Sequence, residues 1–218
     1  MNPLVLAGVD VGSPHLVGET KPLPDGFEIV AGGEDIWGTR DEFHFAHTHL
    51  MGNFSLSVRL VSLTMADVYT KAGLMIRTSL EAGAEHALLL AFGDNQPRNK
   101  NNGGIEFQYR LRPNGDCVGI YPPQPLPSQP DFPVKFPAVW LKLSRAGKTI
   151  AGEYSQDGER WQRFGVHRQS FPESVYVGLA VTSHNGKQTV RSVFSDFCLS
   201  KKPAGTSLLS RLKSLARI

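Results

Sequence analysis

An all-β fold, built as a two-sheet antiparallel jelly-roll sandwich, is what this chain of 218 residues predicts, on three observations. Between residues 27 and 199, apolar and polar residues alternate with period two in short runs, the pattern of half-buried strands. Clusters of Gly, Asn, Asp and Pro interrupt those runs at intervals that suit hairpins and tight connections. Helical periodicity is scarce before residue 207. With 40% apolar residues the chain is long enough to bury roughly 70% of its unfolded surface in one core without disulfide support.

The strands follow in order. The runs 27–30, 43–50, 53–63, 72–77, 87–92, 104–111, 139–144, 149–155, 175–183 and 189–199 each carry the β-branched and aromatic residues that suit a pleated surface. Residues 79–85 read as one helical turn or a loop. Gln156-Asp157-Gly158 supplies turn chemistry between a strand ending at Ser155 and a second one carrying Trp161 and Phe164, so a hairpin is expected there. Residues 93–103, rich in Asn, and residues 121–137, with seven prolines, read as loops; proline denies the ladder its N–H and favours extended geometry.

The tail differs from the body. Residues 200–218 hold Lys201, Lys202, Arg211, Lys213 and Arg217 with no acid, which leaves 18 basic against 20 acidic residues before them. The body is therefore slightly acidic and lacks the electrostatic footprint of a nucleic-acid binder. Residues 201–205 read as a flexible break, and residues 207–218 as a short amphipathic helix capped by Thr206 or Ser207. Its apolar stripe, with Leu208, Leu212 and Leu215, is expected to dock the domain on a protein partner or a membrane surface. The N-terminus has no basic segment followed by a long apolar run, which gives a cytoplasmic expectation, or a secreted one if a signal was trimmed.

Six segments, in order, carry a resemblance: Asp35-Ile36-Trp37-Gly38, Asp41-Glu42-Phe43-His44-Phe45, residues 71–77, Phe107-Gln108-Tyr109-Arg110, residues 155–161 and residues 175–184. Together they resemble the concanavalin A-like domain of the regulation-of-enolase type over about residues 9–199. That resemblance implies a jelly roll related to lectins, laminin-G modules and glucanases. It implies no activity, because one fold hosts many functions.

Catalysis of the glucanase kind needs Glu-x-Asp-x-Glu on one strand, so that alternate carboxylates share a face. That motif is absent; Glu34-Asp35 and Asp41-Glu42 are adjacent pairs, and no catalytic residue is assigned. His44, His47 and His49 invite a metal, but His44 would face away from the other two and no carboxylate or thiolate set completes a site. No metal or other cofactor is expected. Cys117 and Cys198 form no CxxC and read as two buried thiols.

Strand alternation puts Glu106, Gln108 and Arg110 on one side of their strand, and Lys71, Met75 and Arg77 share a side of theirs. If the strands neighbour one another, Arg77, Gln108 and Arg110 line an open concave polar strip, bordered by His86 and His184. Planar polar groups beside an aromatic such as Tyr121 or Trp140 suit sugar hydroxyls and pyranose faces. The expected function is non-catalytic recognition of carbohydrate or a glycosylated surface. The alternatives are a glycan-active hydrolase with carboxylates from separate strands, and an intracellular regulatory protein docked through its C-terminal helix.

Overall fold

The computed structural model describes residues 5–93, 104–121 and 136–202. Among these are sixteen strands: β1 (Ala7–Val11), β2 (Glu19–Leu23), β3 (Gly26–Ala31), β4 (Ile36–Trp37), β5 (Arg40–Asp41), β6 (Phe43–Met51), β7 (Asn53–Leu63), β8 (Lys71–Arg77), β9 (His86–Phe92), β10 (Ile105–Arg110), β11 (Cys117–Ile120), β12 (Val139–Ala146), β13 (Thr149–Ser155), β14 (Gln162–Arg168), β15 (Ser174–Thr182) and β16 (Val190–Lys202). They form two antiparallel seven-stranded sheets, ordered β1-β6-β15-β8-β9-β10-β11 and β14-β13-β12-β7-β16-β3-β2, plus the small β4-β5 hairpin. The described residues contain no helix. Segment 79–85 is a loop, and the helix expected over 207–218, with Leu208, Leu212 and Leu215, lies outside them.

Alternation decides which side chains fill the sandwich. Leu74 and Ile76 of β8, Leu89 of β9, Phe107 of β10 and Val177 and Leu179 of β15 point between the sheets. They meet Phe54, Leu56, Val58 and Leu60 of β7 and Leu141 and Leu143 of β12. Such strands cannot slip by one residue without exposing the whole set.

The strands expected over 53–63 and 149–155 stand at those bounds, and the other eight differ at their ends by three residues or fewer. β16 continues through Ser200, Lys201 and Lys202, paired with Ser55, Phe54 and Asn53, so the first residues assigned to the tail belong to the sheet. β1 likewise begins ahead of residue 9. The hairpin at 156–158 joins β13 to β14 as expected. Its turn is organised by Asp157, which accepts the N–H groups of Glu159 and Arg160 at 2.9 and 2.8 Å and the Arg160 Nε–H at 2.7 Å. Those donors hold its carboxyl well below the usual carboxylate range. One cysteine departs from expectation: Cys117 is buried, but Cys198 is exposed, because the outer side of β16 faces solvent.

Candidate functional site

The central strands β8 and β9 of the first sheet are buried on both faces, and the face turned away from the second sheet holds the site. Cross-strand register arranges it in rows. Arg77, His86 and Arg110 form one row, Met75, Leu88 and Gln108 the next, then Gly73, Leu90 and Glu106, and finally Lys71 with Phe92. β9 therefore separates Arg77 from Gln108 and Arg110, which do not lie on adjacent strands. On β8 and β9 the residues between the charged ends are apolar: Met75, Leu88 and Leu90 pack with Phe92, Val11, Ile36, Phe43 and Phe45 into a second core.

Over this face lies the segment carrying β4 and β5. It enters through Gly33, whose φ of 108° suits glycine and where a Cβ would collide with the Glu42 carbonyl. Gln108 Nε2 donates to the Ile36 carbonyl at 2.5 Å, and Arg110 Nη2 to that of Gly38 at 2.9 Å. Arg110 also grips Asp41 with both Nη groups, at 2.8 and 2.7 Å. Arg77 Nη1 stands 3.6 Å from the same carboxylate, while its Nε and Nη2 donate to the Ser79 and Glu81 carbonyls at 2.6 Å each.

The open strip expected of Arg77, Gln108 and Arg110 is thus a sealed one: all three are 0% exposed, as is His86. Most of their donors are spent on the covering hairpin, the 79–85 loop and the Gly115 carbonyl, since a buried donor without a partner is costly, whereas Gln108 Oε1 is buried without one. None of the four reaches solvent to meet a ligand. Burial pushes His86 down to about 4 against the pull of Asp41, with Arg110 and Arg77 adding to the depression. Burial also takes the Arg77 guanidinium down to about 10 and the Cys117 thiol up to about 12. For Arg110 burial works against the charge, yet the bidentate bond to Asp41 outweighs it and the net shift is upward.

Asp41, His86 and Cys117 offer metal-ligand atoms within 4.8 Å of one another. The set does not suit a metal: both Asp41 oxygens are held by Arg110, and a dication would sit against two guanidinium groups. On β6, His47 and His49 share a face, as expected, and lie with Tyr176 between them, the His49 and Tyr176 ring centroids 3.9 Å apart. His44 turns to the opposite side.

At the Lys71 end the same face opens. A cleft of about 320 Å³ is lined by Asp35, Trp37, Tyr69, Lys71, Phe92, Glu106, Tyr121 and His184. Of the residues singled out by sequence, Glu106, Tyr121 and His184 meet here. Asp35 is the hub. Its Oδ1 accepts Lys71 Nζ at 2.6 Å and the Ile36 N–H at 2.7 Å, and its Oδ2 lies 3.2 Å from His184 Nε2. His184 Nδ1 lies 3.2 Å from Asp67 Oδ1, so the imidazole spans two carboxylates. The bond to Asp35 raises His184 above its ordinary value despite burial. Burial would raise Asp35, but His184 and Lys71 prevail and hold it low. Trp37, Tyr69 and Tyr121 are among the exposed large side chains and form an aromatic rim.

Sequence reasoning missed Asp35, Trp37, Tyr69 and Phe92 as lining residues. Asp35 and Trp37 lie in a segment already marked by the family resemblance, and Lys71 on the polar side of β8. What no local pattern shows is that β4 and β5 fold back across the sheet and bring Asp35 to Lys71.

No protein-family model and no curated protein matches the sequence. Among solved structures, the fold is similar to a functionally unknown protein from Saccharomyces cerevisiae, with TM-score 0.66 and 14% identity over 91% of this chain and 97% of that one. It is similar to the GH43 BlXynB protein from Bacillus licheniformis, with TM-score 0.56 and 12% identity over 80% of this chain and 32% of that one. A third likeness is to the VIP36 exoplasmic/lumenal domain in its Ca2+/Man3GlcNAc-bound form, with TM-score 0.51 and 7% identity over 89% of this chain and 86% of that one. At such identities the likeness shows the fold alone, a jelly-roll sandwich of the concanavalin A-like kind.

Proposed function

We propose that the chain is a non-catalytic recognition module that binds carbohydrate, free or on a glycosylated surface, in the cleft at the Lys71 end of the first sheet. We read the domain as one of the regulation-of-enolase type, with its sheets running from Ala7 to Lys202. One observation carries the reading: an open cleft of about 320 Å³ sets three aromatic side chains, Trp37, Tyr69 and Tyr121, around a cluster of charged hydrogen-bonding groups. Apolar sugar faces stack on rings while hydroxyls bond to planar polar groups, and the cleft offers both. The glycan carried by the similarly folded VIP36 domain makes the same class of ligand reasonable here.

The site supports this function without Arg77, His86, Gln108 or Arg110 touching the ligand. Those four hold the hairpin that presents Asp35 and Trp37. A glycan array on the purified protein tests the reading, followed by titration of each hit against Trp37→Ala and Tyr121→Ala. Each variant is expected to weaken binding by about 1–3 kcal/mol, the range of a buried aromatic contact at a binding surface. Binding that is unaffected by both variants places the ligand elsewhere.

A second reading rests on Asp35 and Glu106, two carboxylates from separate elements that line the same cleft. Paired carboxylates are the equipment of glycoside hydrolysis. Reducing-sugar release from an array-selected oligosaccharide, abolished by Glu106→Gln, would promote it over recognition alone.

A further inference from the structure

We propose that Asp10, His44 and Thr20 form a second site, outside the cleft: a hydrogen-bonded relay that makes the Thr20 hydroxyl a nucleophile toward small acyl esters. His44 Nδ1 stands 2.7 Å from Asp10 Oδ1, and His44 Nε2 stands 2.8 Å from Thr20 Oγ1. A carboxylate only accepts, so the imidazole carries its proton on Nδ1 and leaves Nε2 to accept the threonine hydroxyl. This is the order carboxylate, imidazole, hydroxyl by which an otherwise weak alcohol is activated. Asp10 is itself fixed, accepting the Gly18 N–H at 3.1 and 3.0 Å through its two oxygens. The His44 side chain is 4% exposed and cannot swing away.

The placement favours access. Asp10 lies on β1 and Thr20 on β2, the edge strands of the first and second sheets, so the relay bridges the two sheets at their edge. Thr20 is half-buried and the neighbouring Gly8 is exposed. A Cβ on Gly8 would sit 2.8 Å from Thr20 Oγ1 and 2.9 Å from His44 Nε2. Glycine at position 8 therefore leaves no side chain over either the hydroxyl or the base.

In the reaction, Thr20 Oγ1 bonds to the acyl carbon while its proton passes to His44 Nε2. The ester C–O bond then breaks, and the departing alkoxide or phenoxide takes that proton. Water attacks the acyl-threonine by the reverse route, giving its proton to His44, which passes it to Thr20 as the carboxylic acid leaves.

The test is incubation of the full chain with p-nitrophenyl acetate, acid quench and peptide mapping. An acetyl adduct on Thr20 is expected. His44→Gln should slow its formation at least about 100-fold, the scale of a positioned general base. Thr20→Ser should retain it. The absence of an adduct at position 20 in the wild type overturns the proposal. So does equal labelling of H44Q that melts like the wild type. Should H44Q melt lower, Thr20→Val decides: nitrophenol release must fall with the hydroxyl gone, and release at the wild-type rate overturns the site.

Discussion

Arg77, His86 and Arg110 stand at one end of a sheet face, and Lys71, Glu106 and His184 at or near the other, with an apolar plug between them. Both ends are rich in charge, and both gather around one aspartate, yet one is sealed and the other open. At the sealed end both oxygens of Asp41 are held by Arg110, whose other donors meet the carbonyls of Gly38, Ala84 and Gly115. At the open end Asp35 has side-chain exposure of 28%, and aromatic rings ring the cleft instead of backbone. What separates the two is the β4-β5 hairpin. It lies on the Arg110 end and stops at Asp35, so the buried ions hold the hairpin and the hairpin shapes the cleft. A buried charge cluster is weak evidence for stability but a strong means of fixing one arrangement.

The comparison can be broken most severely at Asp41. Asp41→Asn leaves two guanidinium groups buried without a countercharge and is expected to cost about 3–5 kcal/mol. Urea unfolding reads this directly, and a loss below about 1 kcal/mol would mean that the sealed end does not hold the fold. Arg77→Ala belongs to the same test: it should lower the melting temperature strongly, the reverse of what an open strip would give.

Acid probes the same end through His86. Its folded value of about 4 lies below the ordinary 6.5, so the unfolded chain takes up the proton first. Stability is therefore lost as pH falls from 6.5 toward 4, by on the order of 3 kcal/mol for this group. His86→Gln should flatten that limb of the stability curve. An unchanged slope would show that His86 is not held neutral by its surroundings.

His184 has the opposite sign. Raised above 6.5 by Asp35, its pairing is fully present below that pH and is lost as pH rises through the raised value. Glycan affinity in the cleft should weaken over that interval, and His184→Gln should remove the pH dependence. The smallest effect expected is on stability at the rim, where Trp37→Ala and Tyr121→Ala should stay within about 0.5 kcal/mol of the wild type. A large loss there would erase the distinction between the two ends.

Much of this architecture was legible in the sequence. β7 carries clean alternation because only one of its faces fills the sandwich, and so it could be bounded to the residue. β2, with the sequence ETKPL, lies on an edge, is largely exposed and contains Pro22, so it carries no apolar period to read. The polar side of β10 was legible too, as Glu106, Gln108 and Arg110 on one face. Its meaning was not: period two shows that three residues share a side but not what covers it. Only the fold-back of residues 34–42 distinguishes Glu106, which lines a cleft, from Arg110, which anchors a lid two rows away.

The three tryptophans of this chain provide the most direct measurement. Trp37 lines the cleft, whereas Trp140, under the Arg59 guanidinium, and Trp161, under Lys142, lie on the outer side of the second sheet. Each indole N–H gives a separate signal in a two-dimensional NMR titration with an oligosaccharide selected by array. The cleft account predicts that the Trp37 indole shifts, together with the amides of Asp35, Lys71 and His184, while those of Trp140 and Trp161 stay in place. Saturable movement of Trp140 or Trp161 with Trp37 unmoved would contradict it, as would an array on which no carbohydrate binds.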